Sequence, residues 1–285
     1  MSKTRRQNTP VIASTAMFDI PQFYQQTLLP KRFLLIDVFL KRGLSVAFCL
    51  LPNKRAKTYT ELFERLKEQA NIMGKIFNPK CIVTDYEPGL MRIVEQEFPI
   101  AIHSGCLFHF NQAVHRKITD LGLANDYLNN ETIRDQCRQL MALSLMPIEE
   151  VQNQFIRLEM IMPGKLADLL LYFKNQWVNG VVPIQMWNFH QVDHRTNNTS
   201  EAYNLRFSTR LSKKHPNIWS FIHLIRQEHI RFEHISIQLD AGASAPKQST
   251  KTKAFQLRLD TLYNRFLKKQ IDAKKLLSSL SLLIN

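Results

Sequence analysis

Asp85 is the residue whose type and position point most directly to chemistry. It follows the apolar run Cys81-Ile82-Val83-Thr84, which predicts a buried strand with the carboxylate at its end. Carboxylates that converge at strand ends supply the hard oxygen ligands that Mg²⁺ or Mn²⁺ needs for phosphodiester chemistry. An isolated Asp in this position is more often a helix cap, because its side chain accepts hydrogen bonds from free backbone N–H groups. Asp85 is therefore a candidate metal ligand only if other polar residues lie close to it.

Cys106 and His109 form a Cys-x-x-His pair, a spacing that suits half of a tetrahedral zinc site. His190 and His194 lie four residues apart and could complete such a site. The alternative is structural, with a packed helical cysteine and a histidine that forms a local hydrogen bond. We treat Cys106 and His109 as a supporting site and do not expect bound zinc.

The elements that would position these residues alternate between strands and helices in the first part of the chain. Residues 33–40 and 44–51 are short apolar runs on either side of Lys41-Arg42-Gly43, a pattern typical of paired strands. After them the sequence predicts a helix at 58–73, a strand ending at Asp85, a helix from Pro88 to Phe98, a strand around 101–103 and a helix from Cys106. This order predicts a mixed α/β sheet.

The pattern changes to helices alone between residues 118 and 190. The predicted helices there lie at 132–144, 148–160 and 165–176, and they are interrupted at prolines. Beyond them the sequence predicts a helix from about Glu201, a helix at 217–239, a stretch of linker composition at 241–253 and a terminal helix or helical hairpin. We therefore expect a large all-helical insertion and a helical C-terminal part.

The charge balance favours a polyanionic partner. The chain has 38 Lys and Arg against 24 Asp and Glu, a formal net charge of +14. Residues 201–285 hold 15 of the basic and 6 of the acidic residues, so the positive charge is concentrated toward the C-terminus. Nucleic acid is the first candidate because a basic surface releases counterions when it binds phosphates. The alternative is a solvated basic surface that serves solubility alone.

Cysteine usage and hydropathy point to an intracellular protein. Cys49, Cys81, Cys106 and Cys137 are irregularly spaced and suggest no disulfide framework, which fits a reducing compartment. No apolar run approaches the roughly 18 residues needed to cross a bilayer. We expect no membrane partner, and we expect a nuclear location if the protein meets chromosomal DNA.

Several ordered segments closely resemble the MULE (Mutator-like element) transposase domain. They are Leu50-Leu51-Pro52-Asn53-Lys54 with Tyr59, Thr84-Asp85, Phe98-Pro99, Gly105-Cys106-Leu107-Phe108-His109-Phe110-Asn111-Gln112, and Arg195-Thr196-Asn197-Asn198 with Glu201 and Asn204. The resemblance covers about residues 15–235. It implies a ribonuclease-H-like DDE transposase that cleaves and transfers DNA strands with Mg²⁺ or Mn²⁺.

The resemblance also assigns the acids and reveals a missing one. It implies that Asp85 is the second acid and Glu201 the third, and that both bind the metal. Thr15 stands where the family has its first Asp, and a neutral hydroxyl cannot supply the charge that holds a metal pair. Asp19 and Asp37 are candidate substitutes, although neither aligns with the family's acid. We therefore expect little or no strand transfer.

Together these observations predict a ribonuclease-H-like mixed α/β fold that acts on DNA. Its expected parts are the first half of the core at 1–117, the helical insertion at 118–192, the final core helices at 193–240, a linker at 241–253 and a C-terminal helical segment at 254–285. The expected phosphate contacts are Arg195, Asn197, Asn198, Lys213 and Lys214, with Arg226 and Arg231 as further candidates. The DNA would be transposon ends or non-specific sequence, and a homo-oligomer remains open. Two alternatives are a domesticated, non-catalytic DNA-binding or chromatin-interaction protein and a purely structural interaction module.

Overall fold

The computed structural model describes Asn53, residues 55–192, Thr209 and Arg210, residues 218–243 and residues 250–284. The described residues divide into two compact units. The first contains residues 55–79, 92–99 and 218–243, and the second contains residues 80–91, 100–192 and 250–284. No helix among the described residues is both long and apolar enough to cross a membrane.

Helices make up most of the described chain. In order, the elements are α1 (Ala56–Ile72), β1 (Cys81–Val83), α2 (Pro88–Glu97), β2 (Ile102–Ser104), α3 (Leu107–Asp120), α4 (Ala124–Asn129), α5 (Glu131–Ala142), α6 (Ile148–Ile161), α7 (Ala167–Phe173), α8 (Ile184–Trp187), α9 (Ile218–Asp240), α10 (Thr250–Leu267) and α11 (Ala273–Ser281). Short 3₁₀ turns occur at Leu143–Leu145 and Gly164–Leu166, and a π-helical turn follows α7 at Lys174–Val178. The helices expected between residues 118 and 190 are confirmed, with shifted ends.

The expected ribonuclease-H-like mixed sheet is wrong for the described residues, which contain only β1 and β2. These two strands run parallel, with Cys81 opposite Ile102 and Val83 opposite Ser104. The strands expected at 33–40 and 44–51 lie outside the described residues.

The two described strands are short and bury little surface. Each strand has three residues, and Ile102 is 70% exposed. Short apolar runs fit buried strands and buried helices equally well, so the sequence pattern could not give the size of the sheet. The stretch expected as a helical insertion instead provides most of the hydrophobic core of the second unit.

In the first unit, α1 is held to the end of α2 by contacts around Phe98. The Phe98 ring is buried and meets the Phe63 and Phe77 rings edge to face, at centroid distances of 5.1 and 5.6 Å. Lys67 Nζ lies 4.7 Å from the centroid of the same ring and 2.7 Å from a carboxylate oxygen of Glu97. The Phe-Pro motif therefore has a packing role here.

In the second unit, aromatic rings from α3, α7, α8 and the π-helical turn form the centre of the core. Trp187 stacks on Phe110 at 5.2 Å with an interplanar angle of 2°, and it meets Phe173 edge to face at 5.9 Å. The Trp187 indole N–H donates to the backbone carbonyl of Trp177 at 2.8 Å. This core joins the π-helical turn to the start of α3.

The C-terminal helices α10 and α11 form a hairpin whose inner face packs into the core of the second unit. Leu276, Leu277 and Leu280 of α11 are fully buried. The Tyr263 hydroxyl of α10 donates to the carbonyl of Leu145 at 2.7 Å. Helix α10 begins at Thr250, within the stretch of linker composition, so the linker is shorter than expected.

We expect Trp187→Ala to lower the free energy of unfolding by about 3–5 kcal/mol, because it removes a fully buried ring and leaves the Trp177 carbonyl without its donor. Urea titration followed by far-UV circular dichroism measures this loss. The control is Leu171→Ala in α7, where the side chain is 57% exposed and the cost should stay within about 0.5 kcal/mol. Equal losses for the two variants would contradict the assignment of Trp187 to the core.

Candidate functional site

The candidate site lies where β1 and β2 end. Asp85 follows β1 after one residue, and Gly105 and Cys106 follow β2. Because the strands are parallel, their carboxyl ends lie at the same edge of the sheet, the usual position of ligand sites in parallel arrangements. Helix α3 starts immediately afterwards, with Cys106 at its N-cap position and His109 in its first turn.

The structure brings Asp85 and His109 together at this edge. Nδ1 of His109 lies 2.9 Å from Oδ1 of Asp85. The Asp85 side chain is 56% exposed and that of His109 is 27% exposed. A contact this exposed contributes little to stability, and it leaves the carboxylate accessible to solvent.

Hydrogen bonds fix the end of β1 just before Asp85. The Thr84 N–H donates to the Ser104 carbonyl at 3.0 Å, which extends the strand pairing by one step. The Thr84 hydroxyl lies 2.8 Å from Nε2 of His103, which adds a side-chain bond across the two strands. The Gly105 N–H donates to the Met186 carbonyl at 2.7 Å and so anchors the end of β2 to α8. Asp85 therefore follows a rigid strand end.

Tyr86 connects this edge to the aromatic core, and the sequence analysis missed it. Its ring meets Trp177 edge to face at 5.0 Å, and it packs so closely on Gly105 that a methyl group there would overlap it. Among the described residues, the buried Tyr86 hydroxyl has no hydrogen-bond partner. Burial raises the pKa of Tyr86, and the nearby charges of Cys106 and Asp85 raise it further. The only sequence signal was its place after Asp85, opposite a glycine.

The described residues alone do not form a metal site. Among them, no group of three or more His, Cys, Asp or Glu side chains could hold an ion. Of the two predicted acids, Asp85 and Glu201, the structure describes Asp85 alone. Cys106 is fully buried. Mg²⁺ prefers about six oxygen ligands, so a single carboxylate beside an imidazole does not fit it.

The other predicted site residues lie outside the described residues. They are Thr15, Asp19, Asp37, His194, Arg195, Asn197, Asn198, Glu201, Lys213 and Lys214. Of the further candidates on α9, Arg226 is 6% exposed, and Arg231 lies 3.7 Å from the buried carboxylate of Glu228, to which Arg210 also donates. A phosphate at Arg231 would have to compete with Glu228.

We expect Gly105→Ala to lower the free energy of unfolding by about 1–3 kcal/mol, because the new methyl group overlaps the Tyr86 ring. Tyr86→Phe should leave stability unchanged or raise it, since it removes a buried hydroxyl without a partner among the described residues. The control is Gly164→Ala, because Gly164 has open space around it and an ordinary φ. Gly74 is unsuitable because its φ is positive. A Gly105→Ala loss no larger than that of Gly164→Ala would contradict the close packing.

The raised pKa of Tyr86 predicts a loss of stability at alkaline pH. In the unfolded chain the phenol ionises near its ordinary pKa of about 10, whereas in the folded protein it stays protonated to higher pH. The contribution of Tyr86 to the free energy of unfolding is therefore complete below about pH 10 and is lost as the pH rises further. Urea titrations at pH 9 and 10.5 should show a larger decrease for the native chain than for Tyr86→Phe. Equal decreases would contradict the burial of this hydroxyl.

The MULE transposase domain family matches residues 35–113 of the chain. This match is narrower than the resemblance over about residues 15–235 that the motifs indicated, and it reaches neither Thr15 nor Glu201. No curated protein and no solved structure matches the chain. The resemblance is confirmed for residues 35–113, which match the MULE transposase domain model and include Asp85, Cys106 and His109.

Proposed function

We propose that the chain is a transposase-related protein that acts on DNA and whose strand cleavage and transfer are impaired. The observation that carries this proposal is the position of Asp85, which lies within the matched segment and is accessible to solvent at the carboxyl end of β1. A MULE transposase domain implies interaction with DNA, and the net charge of +14 supports such a partner.

The proposed catalytic set contains Asp85 as the second acid and Glu201 as the third. Asp85 keeps the exposure that a metal-binding carboxylate needs, and the rigid end of β1 limits its movement. Mg²⁺ or Mn²⁺, when bound, would stabilise the negative charge that develops on the phosphate. The described residues supply one carboxylate, so the site depends on Glu201 and on a first acid.

We attribute the impaired strand cleavage and transfer to Thr15, which occupies the position of the family's first acid. A hydroxyl adds no negative charge, so the divalent ions would be held weakly. In the native chain the Nδ1 atom of His109 lies 2.9 Å from Oδ1 of Asp85, close to where a cation would bind. Loss of metal binding would lower strand transfer and leave DNA binding intact.

A second candidate function is a domesticated, non-catalytic DNA-binding or chromatin-interaction protein. Thr15 and the short contact between Asp85 and His109 both favour this alternative. Such a protein would act in the nucleus on chromosomal DNA. The two candidates differ in whether an acid restored at Thr15 also restores the binding of divalent ions at Asp85.

We expect the native chain to bind Mn²⁺ weakly or not at all in isothermal titration calorimetry. Thr15→Asp should restore binding because it returns the missing negative charge, and adding Asp85→Asn or Glu201→Gln to that variant should abolish it again. Asp120→Asn, an exposed acid at the end of α3, should have no effect and serves as the control. Tight binding by the native chain that Asp85→Ala and Glu201→Ala both remove would show an intact site and would contradict the proposed impairment.

A further inference from the structure

We infer that the outer face of the α10–α11 hairpin, residues 250–284, binds the phosphate backbone of duplex DNA. This inference rests on the proposed function and assigns its DNA contacts to a surface beyond residues 35–113. We call this surface the basic hairpin. Its eight cations are Lys251, Lys253, Arg258, Arg265, Lys268, Lys269, Lys274 and Lys275.

The cations of the basic hairpin are exposed and are not neutralised by acids of the described residues. All eight are exposed, and none forms an ion pair with a described residue. The two acids of the hairpin accept hydrogen bonds from neutral groups of the hairpin itself. Asp260 accepts from the Gln256 amide at 2.7 Å, and Asp272 accepts from the backbone N–H of Lys275 at 2.7 Å. With eight cations and two acids, residues 250–284 have a net charge of +6, which favours a polyanionic partner.

The hairpin presents these charges from a fixed support. Leu259 of α10 and the leucines of α11 are fully buried in the core of the second unit. The Ser281 hydroxyl donates to Asp135 of α5 at 3.0 Å, which ties the end of the hairpin to the unit. Because the support is rigid, its charges lose little conformational freedom when they bind, unlike those of a flexible tail.

Three of the cations are spaced like contacts to a linear polyanion. Lys251, Arg258 and Arg265 recur every seven residues, so they lie along one side of α10 at intervals of about 10 Å. Such a row is about 21 Å long, which corresponds to about six base pairs of duplex.

The turn between α10 and α11 and the first turn of α11 add four cations, two of which lie in positions that are unfavourable for positive charge. Lys268 and Lys269 follow α10, and Lys274 and Lys275 occupy the first turn of α11. The N-terminus of a helix carries partial positive charge, so cations there are unfavourable. Asp272 caps the N-terminus of α11 and offsets part of this charge, and a bound phosphate would offset more of it.

The experiment measures fluorescence anisotropy of a labelled 20-base-pair duplex with the full chain, in EDTA, over a series of salt concentrations. The hairpin variant combines Arg258→Gln, Arg265→Gln, Lys274→Gln and Lys275→Gln. The matched control removes four cations that are paired with acids, Lys57, Arg65, Lys165 and Lys174, each replaced by Gln. Thermal melting checks folding, and the hairpin variant should melt at the native temperature or slightly above it.

We expect the hairpin variant to reduce the slope of log Kobs against log salt by about 3 to 4, since each lost phosphate contact contributes about 0.9. Its affinity at 0.1 M salt should fall at least about tenfold, and the control should change both quantities far less. Unchanged duplex binding by the hairpin variant would overturn this inference alone. No duplex binding by the native chain at any salt would overturn the proposed function as well, and preferential binding to anionic vesicles would assign the hairpin to a lipid surface instead.

Discussion

The stack of Trp187 on Phe110 is the contact on which the second unit depends. It fixes the first turns of α3, and through the Trp177 carbonyl it also fixes the π-helical turn. Trp177 in turn packs against Tyr86, the residue next to Asp85. A chain of aromatic contacts therefore runs from the helical core to the end of β1. Among the described residues the sheet has two short strands, and these contacts add helix packing to what holds the carboxylate in position.

This dependence explains which features could be predicted from the sequence. Helices such as α1 and α6 were predictable because their apolar residues recur at helical spacing over several turns. The place of Asp85 at a strand end was also predictable, but the edge that it shares with Cys106 and His109 depends on the parallel pairing of β1 and β2, which the sequence pattern did not show. The number of strands was not predictable, because a short apolar run does not show which segments of the chain will pack over that run. Tyr86 was missed because its role depends on Gly105 and Trp177, which are distant in the sequence.

The molecule combines features of a catalytic protein and of a binding protein. The proposed catalytic set retains Asp85 and lacks an acid at Thr15, so the charge that would hold divalent ions is reduced. The basic hairpin has the opposite character, with eight cations and two acids that are already engaged. Loss of one carboxylate would silence cleavage and leave phosphate binding unaffected, because the two properties depend on different residues.

The central claim, that strand cleavage is silenced by the missing first acid, is tested most directly by nicking of supercoiled plasmid in Mn²⁺. We expect the native chain to leave the plasmid supercoiled and Thr15→Asp to convert it to the nicked circle, with that gain abolished by a further Asp85→Asn substitution. Nicking by the native chain that Asp85→Asn alone abolishes would contradict this claim, because it would mean that the carboxylates already present are sufficient for cleavage.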